Sequence, residues 1–96
     1  MNVEFSDNHL ERLFFDPSYN GGRPEEIVKA FRKRIQFIRQ ASDERAFYAM
    51  KSLHYEKLRR KDQRSMRLND QYRLIMRVKV QNAVKSMVID SIEDYH

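Results

Sequence analysis

The sequence predicts a single α+β domain over residues 1–96, in which helices precede a small antiparallel sheet. Two patterns support this fold class. Apolar residues recur at helical spacing in the N-terminal half, and they alternate with polar residues at period two from about residue 64 onward. Helices that precede a run of strands gather on one face of the sheet. A chain of 96 residues supplies one core of this kind and is too short for two.

The N-terminal half predicts a short strand followed by two helices. Residues 1–5 form the strand, and Ser6 or Asp7 can cap a first helix with Leu10, Leu13 and Phe14 on one face. Residues 16–22 (DPSYNGG) are the clearest turn. The second helix is predicted from Pro24 to about residue 41. It carries an apolar stripe of Ile27, Val28, Phe31, Ile35 and Ile38.

The C-terminal half predicts a meander of three or four antiparallel strands. Every second residue from Tyr72 to Val80 is apolar, which is typical of a strand with one buried face. The predicted hairpin turns are residues 69–70 and residues 81–82. In the last strand, one face is predicted to carry Val84, Val88 and Ile92, and the other Met87 and Ile89.

Residues 43–57 remain open to two interpretations. Phe47, Met50 and Leu53 fit a helical spacing, but a strand that ends near His54 is equally possible.

The basic residues are concentrated in the strand half. The net charge is +5, but residues 51–79 hold ten cations against three acids, a local charge of +7. The first fifty residues are balanced and the last seventeen carry −2. A focused basic field favours a nucleic-acid partner over a merely solvated charged face. With the helices on one face of the sheet, Arg67, Arg73 and Arg77 are predicted to form a cationic surface on the other.

Several classes are excluded by composition. The chain has no cysteine, so a disulfide framework and a thiolate metal site are excluded, and a reducing cytoplasm is compatible with the sequence. The N-terminal residues do not form a signal peptide. No apolar stretch approaches the roughly 20 residues of a membrane span, so no membrane association is expected.

The chain carries the side chains needed to cleave RNA without a metal. Such cleavage requires a base for the 2′-hydroxyl, cations for the phosphorane and an acid for the leaving oxygen. His54 and His96 can serve as base or acid, and arginines suit phosphate oxygens. Asp94 can orient a histidine, and Tyr95 can stack on a base. A single histidine or strand arginine is more often structural, so the combination carries the inference. No metal site is predicted.

Two separated motifs resemble one known family. Residues 65–74 (SMRLNDQYRL) resemble the S-[IL]-R-[IVL]-N-x-Q-[WY]-R-[IL] strand pair of the HigB toxins, the plasmid-maintenance killer proteins of the RelE superfamily. The ending Asp94-Tyr95-His96 matches the D-Y-H on which many HigB chains stop. Leu53-His54 and Lys57-Leu58 also fit. The resemblance covers the whole chain, strongly from His54 to His96.

The resemblance implies a RelE-like fold and ribosome-dependent cleavage of translated mRNA in the A site, without metal or cofactor. It implies a cytoplasmic toxin with a HigA-type helix-turn-helix antitoxin as partner, and contact with operator DNA only through that antitoxin. His54 and His96 match the family's catalytic histidines, Lys57 and Arg73 its phosphate-contacting residues, and Asp94 and Tyr95 its terminal motif. Arg67 fits the strand motif and is expected to bind substrate.

The loop at residues 58–64 departs from the family pattern. The family has a glycine-bearing turn there, whereas this chain reads LRRKDQR. The loop lacks glycine but gains charge, so Arg59, Arg60, Lys61 and Arg64 are expected to contact ribosomal RNA or phosphate.

Two other functions stay in view. The first is a non-catalytic RNA- or ribosome-binding protein on the same fold. The second, a DNA-binding regulator, is disfavoured because the predicted helix at 24–41 has no helix-turn-helix partner. The helical half, with Phe14, Phe15 and Phe37, is a candidate docking surface for an antitoxin.

Overall fold

The computed structural model describes residues 1–60 and 62–94, which form three α-helices and a five-stranded mixed sheet. The helices are α1 (Asn8–Phe15), α2 (Glu25–Gln40) and α3 (Arg45–Ala49), and a 3₁₀ turn covers Lys51–Leu53. The strands are β1 (Asn2–Phe5), β2 (Glu56–Lys57), β3 (Gln63–Arg67), β4 (Tyr72–Gln81) and β5 (Val84–Asp94). The predicted α+β class is confirmed.

Local sequence signals explain both long helices. The Asp7 carboxylate accepts a hydrogen bond from the Leu10 N–H at 2.8 Å and thereby caps α1. Pro24 precedes α2, at a position where a backbone N–H would have no partner within the helix, so proline loses no hydrogen bond there. The whole predicted apolar stripe of α2 is buried. None of the helices within residues 1–60 and 62–94 has the length and apolar content to span a bilayer.

One buried hydrophobic cluster connects the helices with the sheet. The helices contribute Leu10, Leu13, Ile27, Val28, Phe31, Ile35, Ile38 and Phe47. The strands contribute Met66, Leu74, Met76, Met87, Ile89 and Ile92. Burying a large aliphatic or aromatic side chain stabilises the folded state by about 1.5–3 kcal/mol. The period-two alternation predicted for β4 is confirmed, because Leu74 and Met76 lie in this cluster.

The sheet has the strand order β1-β5-β4-β3-β2 and is not purely antiparallel. β1 runs parallel to β5, with Val3 opposite Met87 and Phe5 opposite Ile89, whereas the other neighbours are antiparallel. The prediction of an antiparallel sheet is therefore wrong at this edge. A parallel pair requires a long crossover connection, and no local pattern in residues 1–5 shows which strand they join.

A β-bulge at Asp90 interrupts the alternation of β5. Ile89 and Ile92 both belong to the core cluster, although three positions separate them. Val88 pairs with Arg77 on the opposite face. The prediction that Val88 and Ile92 share a face is wrong, because the extra residue reverses the alternation after Asp90.

The β4–β5 hairpin turns at Asn82-Ala83, one residue later than predicted. Gln81 pairs with Val84, and the two residues between them have φ values of 53° and 63°. This is the type I′ geometry, whose twist matches the flanking strands.

In the ambiguous stretch 43–57, the chain forms a helix, the 3₁₀ turn and the short edge strand β2 in succession.

Candidate functional site

The two sequence motifs lie side by side where β4 begins and β5 ends. Arg73 is opposite Arg67 on β3 and opposite Glu93 on β5, and Tyr72 is opposite Asp94. Residues that are directly opposite in an antiparallel pair have Cα atoms roughly 4.5–5.5 Å apart. The strand motif and the start of the terminal motif are therefore neighbours, although about twenty residues separate them in the chain.

His54 joins this site from a different element. It ends the 3₁₀ turn in the left-handed conformation, with φ 47° and ψ 45°, and its side chain is exposed. The Arg73 guanidinium Nη1 donates a hydrogen bond to the His54 carbonyl oxygen at 3.3 Å. A non-glycine residue in this conformation costs about 1–3 kcal/mol and persists where its surroundings fix it. Arg73 is one of the groups that fix it.

Arg73 is the central cation of the site. Its side chain is 21% exposed, and its Nη1 lies 4.0 Å from Glu56 Oε1. It therefore connects β4 with β2 and carries a positive charge next to His54. A guanidinium held in this way is pre-organised to bind a phosphate through two parallel hydrogen bonds.

Lys57 is exposed on the edge strand β2, but it does not share a face with Arg73. Lys57 pairs with Arg64, whereas Glu56 pairs with Ser65. Paired residues lie on the same side of a sheet, so the register places Glu56 on the Arg73 side and Lys57 on the other. The structure brings Arg73 next to His54, whereas Lys57 and Asp94 lie on the other side of the sheet, because Asp94 pairs with Tyr72 and not with Arg73.

Asp94 is exposed and accepts a hydrogen bond from Gln71 Nε2 at 2.9 Å. This bond fixes the end of β5 to the β3–β4 turn. Tyr95 and His96, which follow Asp94 in the sequence, lie outside the described residues, as does Lys61.

Arg64 occupies a different position from the one expected. Its side chain is 8% exposed, and its Nε donates to Glu44 Oε2 at 3.2 Å. Alternation along β3 turns residue 64 toward the core face and residues 63 and 65 away from it. The expectation that Arg64 binds substrate is therefore not supported, because a buried ion pair holds its guanidinium.

Glu44 is a residue that sequence reasoning missed. Besides Arg64, its carboxylate accepts hydrogen bonds from the Tyr55 hydroxyl at 2.6 Å and from Lys85 Nζ at 3.2 Å. Burial opposes its ionisation, but these donors and the Arg64 charge outweigh that effect, so the pKa of Glu44 lies below its usual value. Burial and, to a smaller extent, the hydrogen bond to Glu44 raise the pKa of the Tyr55 hydroxyl. Only the fold connects residue 44 with residues 55, 64 and 85.

The arginines of the sheet face opposite the core cluster each have a carboxylate beside them. Arg67 forms an ion pair with Asp70. Arg77 donates two hydrogen bonds to the bulge residue Asp90, at 2.6 and 3.0 Å, and this pairing raises its pKa. The prediction of a cationic face is therefore corrected to a face on which acids balance the arginines.

The loop between β2 and β3 keeps the exposed positive charge that the sequence predicts. Arg59 and Arg60 are both exposed, and neither forms an ion pair with another residue in the described ranges. The loop is anchored at its end, where the Val78 N–H donates to the Asp62 carbonyl at 2.9 Å.

Within residues 1–60 and 62–94, no three histidine or acidic side chains are grouped so that they could hold a metal ion.

The comparison with protein families finds a match over nearly the whole chain. The family model for the RelE-like toxin of the type II toxin-antitoxin system HigB matches residues 3–96, nearly the whole chain. No curated protein matches the sequence.

Proposed function

Because the chain belongs to the HigB-like family of RelE-like toxins of type II toxin-antitoxin systems, we propose that it cleaves translated mRNA on the ribosome. RelE-like toxins are generally endoribonucleases. The observation that carries the proposal is the position of Arg73, whose guanidinium is bonded to the His54 carbonyl on a strand adjacent to the one that ends at Asp94. Arg73 thus links the segment that carries His54 to the strand motif, beside the strand that ends at Asp94.

The proposed reaction needs no metal. One of the histidines, His54 or His96, takes the proton from the 2′-hydroxyl, and the other protonates the leaving 5′-oxygen. Arg73 stabilises the charge that develops on the phosphorane. Lys57 reaches the phosphate from the rim of the site, and Asp94 and Tyr95 support the terminal histidine. The acid and base roles can be shared between coupled groups.

The test is cleavage of a defined mRNA on programmed bacterial ribosomes by EDTA-treated enzyme, mapped by primer extension. We expect ribosome-dependent A-site cuts that disappear in His96→Ala and fall by at least about a hundredfold in Arg73→Ala. His9→Gln and Arg12→Ala are matched controls, because they change the same residue types on α1 and should cleave normally. Ribosome binding without cutting by the wild type would favour the non-catalytic alternative.

The loop cations are proposed to add affinity for ribosomal RNA. Neutralising Arg59, Arg60 and Lys61 together should weaken binding and make its dependence on salt shallower. The log–log slope should change by about 0.7–0.9 for each phosphate that the variant no longer neutralises. A KCl titration of ribosome binding measures this slope. Lys29→Gln is the control, because Lys29 is exposed on α2, where it forms an ion pair with Glu25. An unchanged slope in the triple variant would rule out these contacts.

The partner is proposed to be a HigA-type helix-turn-helix antitoxin, encoded beside the toxin, through which the complex contacts operator DNA in the cytoplasm. Of the three phenylalanines expected on the docking surface, Phe15 is 60% exposed, whereas Phe14 and Phe37 pack against the core cluster. Phe15→Ser should therefore weaken a pulldown of the adjacent gene product. Tyr48→Ser, at a similarly exposed aromatic residue on α3, is the control.

A further inference from the structure

One carboxylate connects the segment that carries His54 to two strands of the sheet. Glu44 lies immediately before α3 and is 14% exposed. Three donors from different parts of the chain converge on it: the Tyr55 hydroxyl, Arg64 Nε and Lys85 Nζ, at 2.6, 3.2 and 3.2 Å. A buried carboxylate is stable only when donors of this kind compensate its lost hydration. The three donors thus connect the His54 segment to β3 and β5.

The bond from Tyr55 acts directly on the conformation of His54. The two residues share a peptide group, whose carbonyl accepts the hydrogen bond from Arg73 at 3.3 Å. Tyr55 is 7% exposed, and its ring packs edge-on against Phe47 with centroids 5.1 Å apart. The peptide is therefore held by Arg73 on one side and by the Tyr55–Glu44 bond on the other. Both constraints oppose the relaxation of His54 from its left-handed conformation.

The bond from Arg64 acts on the neighbouring strand. Arg64 pairs with Lys57 in the register between β3 and β2. β2 has only two residues, so it has few ladder bonds of its own to keep Lys57 in place. Glu44 thereby contacts one residue next to His54 and one residue paired with Lys57.

From this geometry we infer that Glu44 is a positioning residue of the cleavage site, which acts on His54 through the Tyr55 hydroxyl. This inference rests on the proposed function. A displacement of about 1 Å at a reacting group can lower a rate by about a hundredfold, so a small relaxation of His54 is sufficient to affect cleavage.

The first variant is Tyr55→Phe, which removes one hydroxyl and keeps the buried ring. We expect the single-turnover cleavage rate at saturating toxin to fall roughly tenfold, while the Kd for ribosomes changes by less than about twofold. The matched control is Tyr19→Phe. Its hydroxyl makes an equally short bond, at 2.6 Å, to His9 Nδ1 in the helical half, and its loss should leave the rate unchanged. The melting temperature of both variants is measured alongside.

A second measurement tests positioning without the ribosome. The Cε1–H resonance of His54 should shift or broaden in Tyr55→Phe and in Glu44→Gln, and should stay unchanged in Tyr19→Phe. The double variant Tyr55→Phe/Glu44→Ala should cleave no more slowly than Glu44→Ala alone, because the Tyr55 hydroxyl has no acceptor at residue 44 once the carboxylate is removed. A wild-type rate with an unchanged His54 resonance would overturn the inference, even if stability falls. If the wild type does not cleave, the proposed function fails, and the resonance alone decides whether Glu44 positions His54.

Discussion

Replacing Arg64 with methionine distinguishes a structural arginine from an RNA-binding one. Its side chain is 8% exposed, and that of its partner Glu44 is 14% exposed. Removing one member of a buried pair generally costs about 3–5 kcal/mol, because the other charge is left without compensation. Here Glu44 keeps its bonds from Tyr55 and Lys85, and methionine refills most of the space. We therefore expect Arg64→Met to lower the free energy of unfolding by about 1–3 kcal/mol.

Urea unfolding followed by circular dichroism measures this change as a lower midpoint with an unchanged m value. The melting temperature should fall by roughly 4–8 °C for each kcal/mol in a domain of this size. Arg59→Met is the matched control. The same substitution on the exposed loop should change stability by less than about 0.5 kcal/mol and reduce the salt dependence of ribosome binding. If Arg64→Met leaves the urea midpoint unchanged but reduces that salt dependence, the structural explanation is refuted.

Three further sets of substitutions test local features of the fold. Ala83→Gly should stabilise the protein by about 0.5–1 kcal/mol in thermal unfolding, because residue 83 has a φ of 63°, which glycine adopts without strain. Ala49→Gly in α3 is the control and should destabilise the protein. Equal effects of the two substitutions would contradict the explanation. Gly21→Ala should lower the free energy of unfolding by about 2–4 kcal/mol, because the new Cβ would lie 2.6 Å from the His9 ring and the residue has a φ of +61°. Gly22→Ala should lower it by only about 1–2 kcal/mol, because no atom lies within 4 Å of the new Cβ. The side-chain hydrogen bond from Arg45 lowers the pKa of Asp43 from 3.8 to about 2, so its contribution to stability is present above pH 4 and lost as pH falls to about 2. Asp43→Asn should therefore flatten the stability profile between pH 4 and pH 2, and an unchanged slope would contradict the assignment.

Features that depend on neighbouring residues in the chain were predictable. The helix cap at Asp7, the apolar stripe of α2 and the alternation of apolar residues in β4 each depend on residues no more than four positions apart. The family motifs likewise lie within short stretches. The parallel pairing of β1 with β5 was not predictable, because it depends on a partner more than eighty residues away. The bulge at Asp90 was missed for another reason: one inserted residue reverses a strand's faces without altering its composition.

Long-range pairing also explains why charge counted along the sequence overstated the basic field. Residues 51–79 carry a local charge of +7, but Arg64 pairs with Glu44, Arg77 with Asp90 and Lys79 with Glu4, and all three acids lie outside that stretch. These pairs place carboxylates next to the strand cations, so the charge able to attract RNA is smaller than the sequence total. It remains on the β2–β3 loop, where Arg59 and Arg60 are exposed, whereas Arg73 shares its charge with the Glu56 carboxylate, 4.0 Å from its Nη1. A phosphate that binds Arg73 must therefore compete with that carboxylate, whereas the loop cations can attract an RNA backbone directly.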